Sequence, residues 1–387
     1  MTELLPVKQE RNLGIDLLRM FSMLLVVVLH VLGQGGVLSA TKLSSATNYN
    51  FAWLLEVAAY CAVNCYALIS GYVGVKAKFK YTNIVMLWLQ VVFYTGLITL
   101  LFSIFHSDMM QEFYTKQIQS SYPTLVDTAA GTEHIWSALF PVLKNEYWYF
   151  TSYFCMFFFI PFFNYVVNHM PRKQLRVLII SLFVVFSLIP AVSRAGIIGI
   201  PASDIFYTDG GYNAVWLSIV YIIGAYISKY NVLEKLPAGY CFILYVLAVL
   251  ISWIAKLYIS GGGVLVNYTS PTILIAGVAL LLGFSKLKLK PRPVRFAIRF
   301  LSPLSFSVYL IHVHPLVWQQ YMLRRYVDFA YFPTWKMILA VLAATFGIYL
   351  FCSAVDLIRH YLFRLLHLRQ GLDALEKKIC GKLWEER

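Results

Sequence analysis

Three ionisable side chains sit in one apolar stretch near the start of the chain. Residues 13–34 read LGIDLLRMFSMLLVVVLHVLGQ and carry Asp16, Arg19 and His30. A guanidinium keeps its charge at any ordinary pH and suits an anion or a developing negative charge. An imidazole titrates near neutrality, so it can take a proton from a hydroxyl. Arg19 and His30 stand eleven residues apart. At about 100° and 1.5 Å per residue they share nearly one helix face and are separated by about 16 Å. A second group is SPLSFSVYLIHVHPL, with Tyr309, His312 and His314. Two residues apart, these histidines point to different faces of a regular helix, which argues against a shared metal pair. Pro315 is placed to bend the helix beside them.

The element that carries Arg19 and His30 must be a membrane helix, because about 20 mostly apolar residues suffice to cross a bilayer. Of 387 residues, 60% are hydrophobic and 13% charged, against about 25% charged in a soluble domain. The expected fold class is therefore all-α, a polytopic integral membrane protein. Apolar runs fall near 13–34, 51–73, 83–105, 147–168, 174–194, 212–230, 238–260, 267–285, 303–324 and 334–358, ten candidate spans. A net charge of +14 would point to nucleic acid in a soluble chain. Here the cations lie in alternate loops: VKAKFK (75–80), HMPRKQLR (169–176), KYNVLEK (229–235), KLKLKPRPVRFAIR (286–299) and the tail. Asp108, Glu112, Asp127, Glu133, Glu146, Asp204, Asp209 and Asp328 occupy the other set, where Arg324 and Arg325 after span 9 are the exception, partly offset by Asp328. The positive-inside rule then places both termini in the cytoplasm. An ionisable group at membrane depth is costly unless it is buried in protein or wet. Arg19 and His30 therefore read as functional rather than as side chains that snorkel to the headgroups.

The other spans add polar groups with two readings each. Span 2 carries Glu56 near its outer end and Asn64 deeper, the latter suited to an interhelical hydrogen bond. It ends in Ser70-Gly71-Tyr72, where Gly71 and Gly74 let a backbone or a ligand approach closely. Tyr147, Trp148, Tyr149 and Phe150 open span 4 and suit either an interfacial belt or the face of a sugar ring. Residues 106–146 form a long polar external segment, with the length of a cap over a site. Residues 1–358 make the membrane domain, and 359–387 a basic amphipathic tail suited to the anionic inner leaflet. The six cysteines lie in spans or the tail and imply no disulfide framework. Cys61 and Cys65 share a face but have no histidine or carboxylate beside them, so no metal is expected. No Walker-type glycine loop, GxSxG elbow or HExxH is present.

Several pieces in a fixed order resemble the integral-membrane acyltransferase 3 family. They are Arg19 and His30 within NLGIDLLRMFSMLLVVVLH, the VNCYALISGYVG block, YWYFTSYFCMFFFIPFFN, GAYISKY and SFSVYLIHVHPL, together spanning residue 11 to about 320. The resemblance implies ten core spans in a bacterial cytoplasmic membrane. It also implies transfer of an acyl group, usually acetyl from acetyl-CoA, to a hydroxyl of an extracytoplasmic glycan or cell-envelope polymer. The family often has arginines just after the SGY block. Lys76, Lys78 and Lys80 stand there in this chain, and lysine pairs with phosphate as a point charge without the bidentate fork.

On this reading His30 is the general base and Arg19 meets the donor, at its phosphates or at its carbonyl. Ser70, Lys76, Lys78 and Lys80 assist at the donor side. Glu56, Tyr147, Trp148, Tyr149, Tyr309 and His312 line or support the acceptor side. The acyl-CoA donor, the glycan acceptor and the lipid bilayer are the expected partners, with acetyl-CoA as co-substrate and no metal. The competing class is a transporter or flippase using Arg19, Glu56 and His312 as a proton or substrate path. The lack of a visible internal repeat argues against it.

Overall fold

The structure, a computed structural model, describes residues 11–105, 147–195, 206 and 208–384. The external segment 106–146 lies outside the described residues. Every regular element among the described residues is helical. In chain order these are α1 (Leu13–Leu32), α2 (Val37–Ser44), α3 (Ala46–Ala59), α4 (Ala62–Gly74), α5 (Tyr81–Phe105), α6 (Trp148–Phe157), α7 (Ile160–His169) and α8 (Arg172–Arg194). They continue with α9 (Ala214–Tyr230), α10 (Ala238–Tyr258), α11 (Pro271–Ser285), α12 (Arg292–Leu301), α13 (Ser305–His312), α14 (Thr334–Leu365) and α15 (Leu368–Trp384). Seven helical lengths, with α3–α4 and α12–α13 each counted as one, are long and apolar enough to cross a membrane. The pair α6–α7 makes an eighth, and α9 and α11 are shorter apolar helices. The chain is a polytopic helical membrane protein, with seven or eight helical lengths of spanning size among the described residues where ten spans were expected.

α1 is the hub. It packs against α3, α4, α11, α12, α13 and α14. Asn12 caps its start, accepting from the Gly14 and Ile15 amides and donating to the Ser285 carbonyl (2.8 Å), which ties α1 to the end of α11. Asp16 in the first turn complements the positive end of the helix. At the other end Gly36 turns the chain with φ +93°, a conformation that favours glycine. The backbones of Gln34 and Gly35 there accept from the Arg324 (2.9 Å) and Tyr326 (3.0 Å) amides.

Small residues set the closest helix approaches. Gly71 on α4 lies against the Tyr221 backbone of α9, and Gly224 on α9 lies against the Leu68 backbone of α4. A side chain at either position would force the two helices apart, as expected for small-residue packing in lipid. Asn64 on α4 makes the interhelical bonds expected of it, donating to the Tyr268 carbonyl and accepting from the Trp216 indole, each at 2.9 Å.

Three sequence boundaries shift. The run 147–168 is one apolar length but two helices bent by 57°. Pro161 has no N–H for the preceding turn, and the Phe159 amide instead bonds the Met156 carbonyl (2.9 Å). The expected loop 286–299 and span 303–324 are also rearranged. The helical length begins at Arg292, inside that loop, and ends at His312. Arg292, Arg295 and Arg299 recur at helical spacing, so α12 is an amphipathic lead-in that positive charge disguised as loop. Beyond His312, the His314 side chain accepts from the Leu316 amide (3.3 Å) and a new turn starts at Pro315. Lastly, α14 continues to Leu365, past the expected start of the tail at 359. The tail continues as a separate helix, α15. Lys80 pairs with Asp373 (2.9 Å), and Glu376 accepts from the Tyr81 amide, the Thr82 amide and the Thr82 hydroxyl, fastening α15 to the start of α5.

Candidate functional site

At the Arg19 end of α1, Arg11 and Arg19 share the buried carboxylate of Asp16. Arg19 donates to it at 3.0 Å and to Ser302 at 3.3 Å, and Arg11 makes a close ion pair with its other oxygen. An i, i+3 pair of this sense is favourable on a helix. It turns the guanidinium toward the start of α1 and away from His30. Two cavities meet at Arg19. One, of about 460 Å³, is lined by Arg11, Asn12, Asp16, Tyr72, Lys76 and Ser228 among others. The second, of about 300 Å³, is lined by Arg19, Tyr66, Ser70, Tyr149, Tyr153 and Ser302 among others. Tyr66 reaches from α4 to donate to the Arg19 carbonyl (2.9 Å).

Tyr66, Tyr149 and Phe306 also line a third, tighter cavity of about 40 Å³, whose walls include His30, Trp148, Tyr268 and Tyr309. Shared walls therefore join the Arg19 end to the His30 end through adjoining cavities. Both side chains of the first helix border this series, as their common face required.

His30 is half-buried and does not stand alone. Its Nδ1 lies 2.8 Å from Nε2 of His312, and the edge of Trp318 meets its ring at 5.0 Å between centroids. The other nitrogen of His312, Nδ1, closely approaches the Val308 carbonyl one turn back on α13. A carbonyl only accepts, so His312 Nδ1 carries a proton. In neutral His312 the Nε2 then accepts, which requires His30 Nδ1 to donate. His30 is thereby left with a bare Nε2 as its one basic atom. His314 points elsewhere and caps the next turn, so the two histidines of span 9 diverge as their spacing indicated.

The other expected site residues divide. Trp148, Tyr149 and Tyr309 line the His30 cavity, and the Tyr309 hydroxyl is buried with no hydrogen-bond partner among the described residues. Ser70 lines the Arg19 cavity while its hydroxyl donates to the Tyr66 carbonyl (2.9 Å). Lys76 lines the larger cavity. Lys80 is held by Asp373, and Lys78 is exposed and borders none of the cavities described here. Tyr147 is fully buried and donates to the Leu310 carbonyl (3.1 Å), supporting the bundle from behind. Glu56 is buried outside the series, with Oε2 lacking a hydrogen-bond partner among the described residues. Sequence reasoning missed Asp16 as the carboxylate that orients Arg19, although its spacing was readable. It also missed Ser302, Tyr66, Tyr153 and Trp318, which arrive from distant segments, and it placed His312 without its bond to His30. No group of three or more His, Cys, Asp or Glu side chains suited to a metal ion occurs among the described residues.

No curated protein and no solved structure matches the chain. A family model described as an acyltransferase domain matches residues 12–357, nearly the whole helical bundle and both ends of the cavity series. The chain therefore belongs to the acyltransferase 3 family.

Proposed function

We propose that this protein transfers an acyl group, acetyl in the family's usual chemistry, from cytoplasmic acyl-CoA to a hydroxyl of an extracytoplasmic glycan or cell-envelope polymer. Membership of the family supports O-acyl transfer to such a hydroxyl by a membrane protein. The basic loops support ten spans with both termini inside a bacterial cytoplasmic membrane. The donor then enters at the Arg19 end and the acceptor at the His30 end.

His30 Nε2 takes the proton of the acceptor hydroxyl. The alkoxide oxygen attacks the thioester carbonyl carbon and the negative charge moves to the carbonyl oxygen. The intermediate collapses, the C–S bond breaks, and the ester leaves with the acceptor. The departing thiolate takes the proton back from His30 and leaves as a thiol. Transfer is direct. The buried hydroxyl of Tyr309, unpaired in the same cavity, suits donation to the oxyanion or to the acceptor. Arg19, turned toward Asp16, suits the body or phosphates of the donor rather than its carbonyl. Trp148 and Tyr149 offer aromatic faces to a sugar ring.

The observation that carries this reading is the ordered chain Val308 carbonyl–His312–His30 at the end of the cavities that begin at Arg19. The test is labelled acetyl-CoA supplied to membranes containing the protein, with the labelled product identified. Label on a glycan hydroxyl in the wild type and none in His30→Ala, with both proteins inserted equally, is the expected result. Normal labelling by His30→Ala removes the base, and substrate movement without acyl-CoA in proteoliposomes replaces the enzyme with a transporter.

A further inference from the structure

A fourth cavity, of about 520 Å³, opens where α5, α14 and α15 meet. One helical face of α5 (Asn83, Met86, Leu87, Gln90) forms one wall, and the end of α14 with the start of α15 supplies Arg359, His360, Arg364 and Arg369. No carboxylate of the described residues lines it. Arg359 is neutralised from behind by Asp356, through hydrogen bonds of 2.6 and 2.8 Å, and Asp356 also accepts from Tyr94 of α5 (2.5 Å). Arg369 donates to Asn83 (2.9 Å) and makes no ion pair among the described residues, although Asp373, itself paired with Lys80, feels its charge. Arg364 has no carboxylate partner among the described residues. The clamp of Lys80 on Asp373 and of Glu376 on the first turn of α5 fixes α15, and so fixes where Arg369 stands. The cavity thus holds two guanidinium groups without an ion-pair partner among the described residues, on a braced frame.

The geometry points to this cavity as a phosphate-binding site, occupied by the phosphorylated nucleotide end of the acyl donor. This rests on the donor reading above. Guanidinium forks match phosphate oxygens two at a time. Position selects the donor over other phosphates: Leu87 and Pro303 line both this cavity and the Arg19 cavity. A thioester arm anchored here has a route past Leu87 and Pro303 to Arg19, and onward past Tyr66 and Tyr149 to His30. The site also answers the departure at the SGY block, where lysines replace the arginine forks and two of the three stand away from the cavities. An anionic phospholipid headgroup has the same chemistry, so the experiment separates the two sources.

The full-length protein in detergent is titrated with CoA, with 3′,5′-ADP and with pantetheine, in the wild type and in Arg364→Glu, Arg364→Lys and Lys76→Glu. Melting temperature is recorded for each variant. Expected are CoA binding in the wild type, competition by 3′,5′-ADP but not by pantetheine, and a Kd for CoA raised about tenfold or more in Arg364→Glu, as loss of a charged hydrogen-bond partner implies. Arg364→Lys recovers most of that loss, and the melting temperature stays unchanged. A Kd unaffected by Arg364→Glu but raised by Lys76→Glu overturns the inference and leaves the donor reading standing, with the phosphates at the mouth beside Arg11. No CoA binding in the wild type fails the donor reading itself. Native mass spectrometry then decides the cavity separately. An anionic lipid retained by the wild type and lost in Arg364→Glu keeps a phosphate site with a lipid occupant, and equal lipid retention in both overturns it.

Discussion

The two ends of the cavity series are built from opposite materials. At the Arg19 end the cavities are roomy, about 460 and 300 Å³, and edged by Arg11, Arg19, Lys76 and Asp16. At the His30 end the space is about 40 Å³ and walled by Tyr, Trp, Phe and aliphatic side chains and by the His30 imidazole, which His312 backs from outside the wall. A wide charged chamber tolerates a hydrated, multiply charged molecule. A narrow aromatic one excludes water and strengthens any proton transfer or dipole placed inside it. Under the proposed function the contrast separates holding from reacting, with the charged part of the donor at one end and the proton chemistry at the other.

That division orders the consequences of mutation. His30→Ala is expected to lower acyl transfer by about 10²–10⁴-fold, the usual range for a positioned base, with little change in donor affinity. The measurement is labelled-acetyl transfer at saturating donor beside a CoA binding curve. Equal losses in binding and turnover would merge the two ends into one site. Arg19→Ala is expected to act the other way round. The donor KM rises by about 10–100-fold through loss of charge-assisted hydrogen bonds, while the acceptor KM holds. Arg19→Lys restores part of the loss because the charge returns without the fork. An acceptor KM that rises while donor dependence stays fixed would reverse the assignment of the ends.

How much of this was legible differs between the ends for a physical reason. Arg19 and His30 lie on one helix, and their relation follows from helical period alone, so their common border on the cavities was readable from spacing. Asp16 was readable in the same way. The partner of His30 was not, because 282 positions separate it from His312, and only the packing of α1 on α13 brings them together. His312 appeared as a second ionisable group at depth, and nothing in its neighbourhood named the group it meets. The polytopic helical class was legible from apolar runs, although seven or eight lengths rather than ten reach spanning size among the described residues; α12 was not legible, since arginines at 292, 295 and 299 look like an inner loop until their period is noticed. The clamp joins the polar C-terminal helix α15 to the polar start of α5, where hydropathy carries no signal.

The histidine pair permits a finer cut within the reacting end. His312 lines none of the cavities described here but meets His30, so on the proposed function its removal is expected to cost less than that of His30. His312→Phe removes the acceptor at Nε2, frees the His30 tautomer and lowers kcat by about tenfold, the scale of one hydrogen bond near 1.4 kcal/mol. KM stays near its wild-type value. His312→Gln restores an acceptor and is expected to recover most of that rate. A loss in Gln as large as in Phe would make His312 a packing residue only.

The smallest expected effect belongs to the holding end, at the clamp outside the membrane. Partial burial raises the Glu376 carboxyl, but hydrogen bonds from Thr82 and Tyr81 outweigh it and leave the group below its usual range. The hydrogen bond from Lys80 lowers Asp373 as well. A carboxyl lowered in the folded state stabilises fully above its unfolded value, and that contribution is lost as pH falls through the folded value. The clamp is therefore intact near neutrality and loosens below the ordinary carboxylate range, at about pH 4 and lower. Hydrogen exchange over residues 80–84 and 368–379 is expected to rise there, with no change in the buried turns of α1 around His30. Glu376→Gln should mimic acid at neutral pH, costing about 1 kcal/mol, the scale of one hydrogen bond to a backbone or hydroxyl group. It should raise the donor KM by about threefold at most, within that same scale. A fall in kcat instead would mean that α15 reaches the reacting end, and the two ends would no longer be separable.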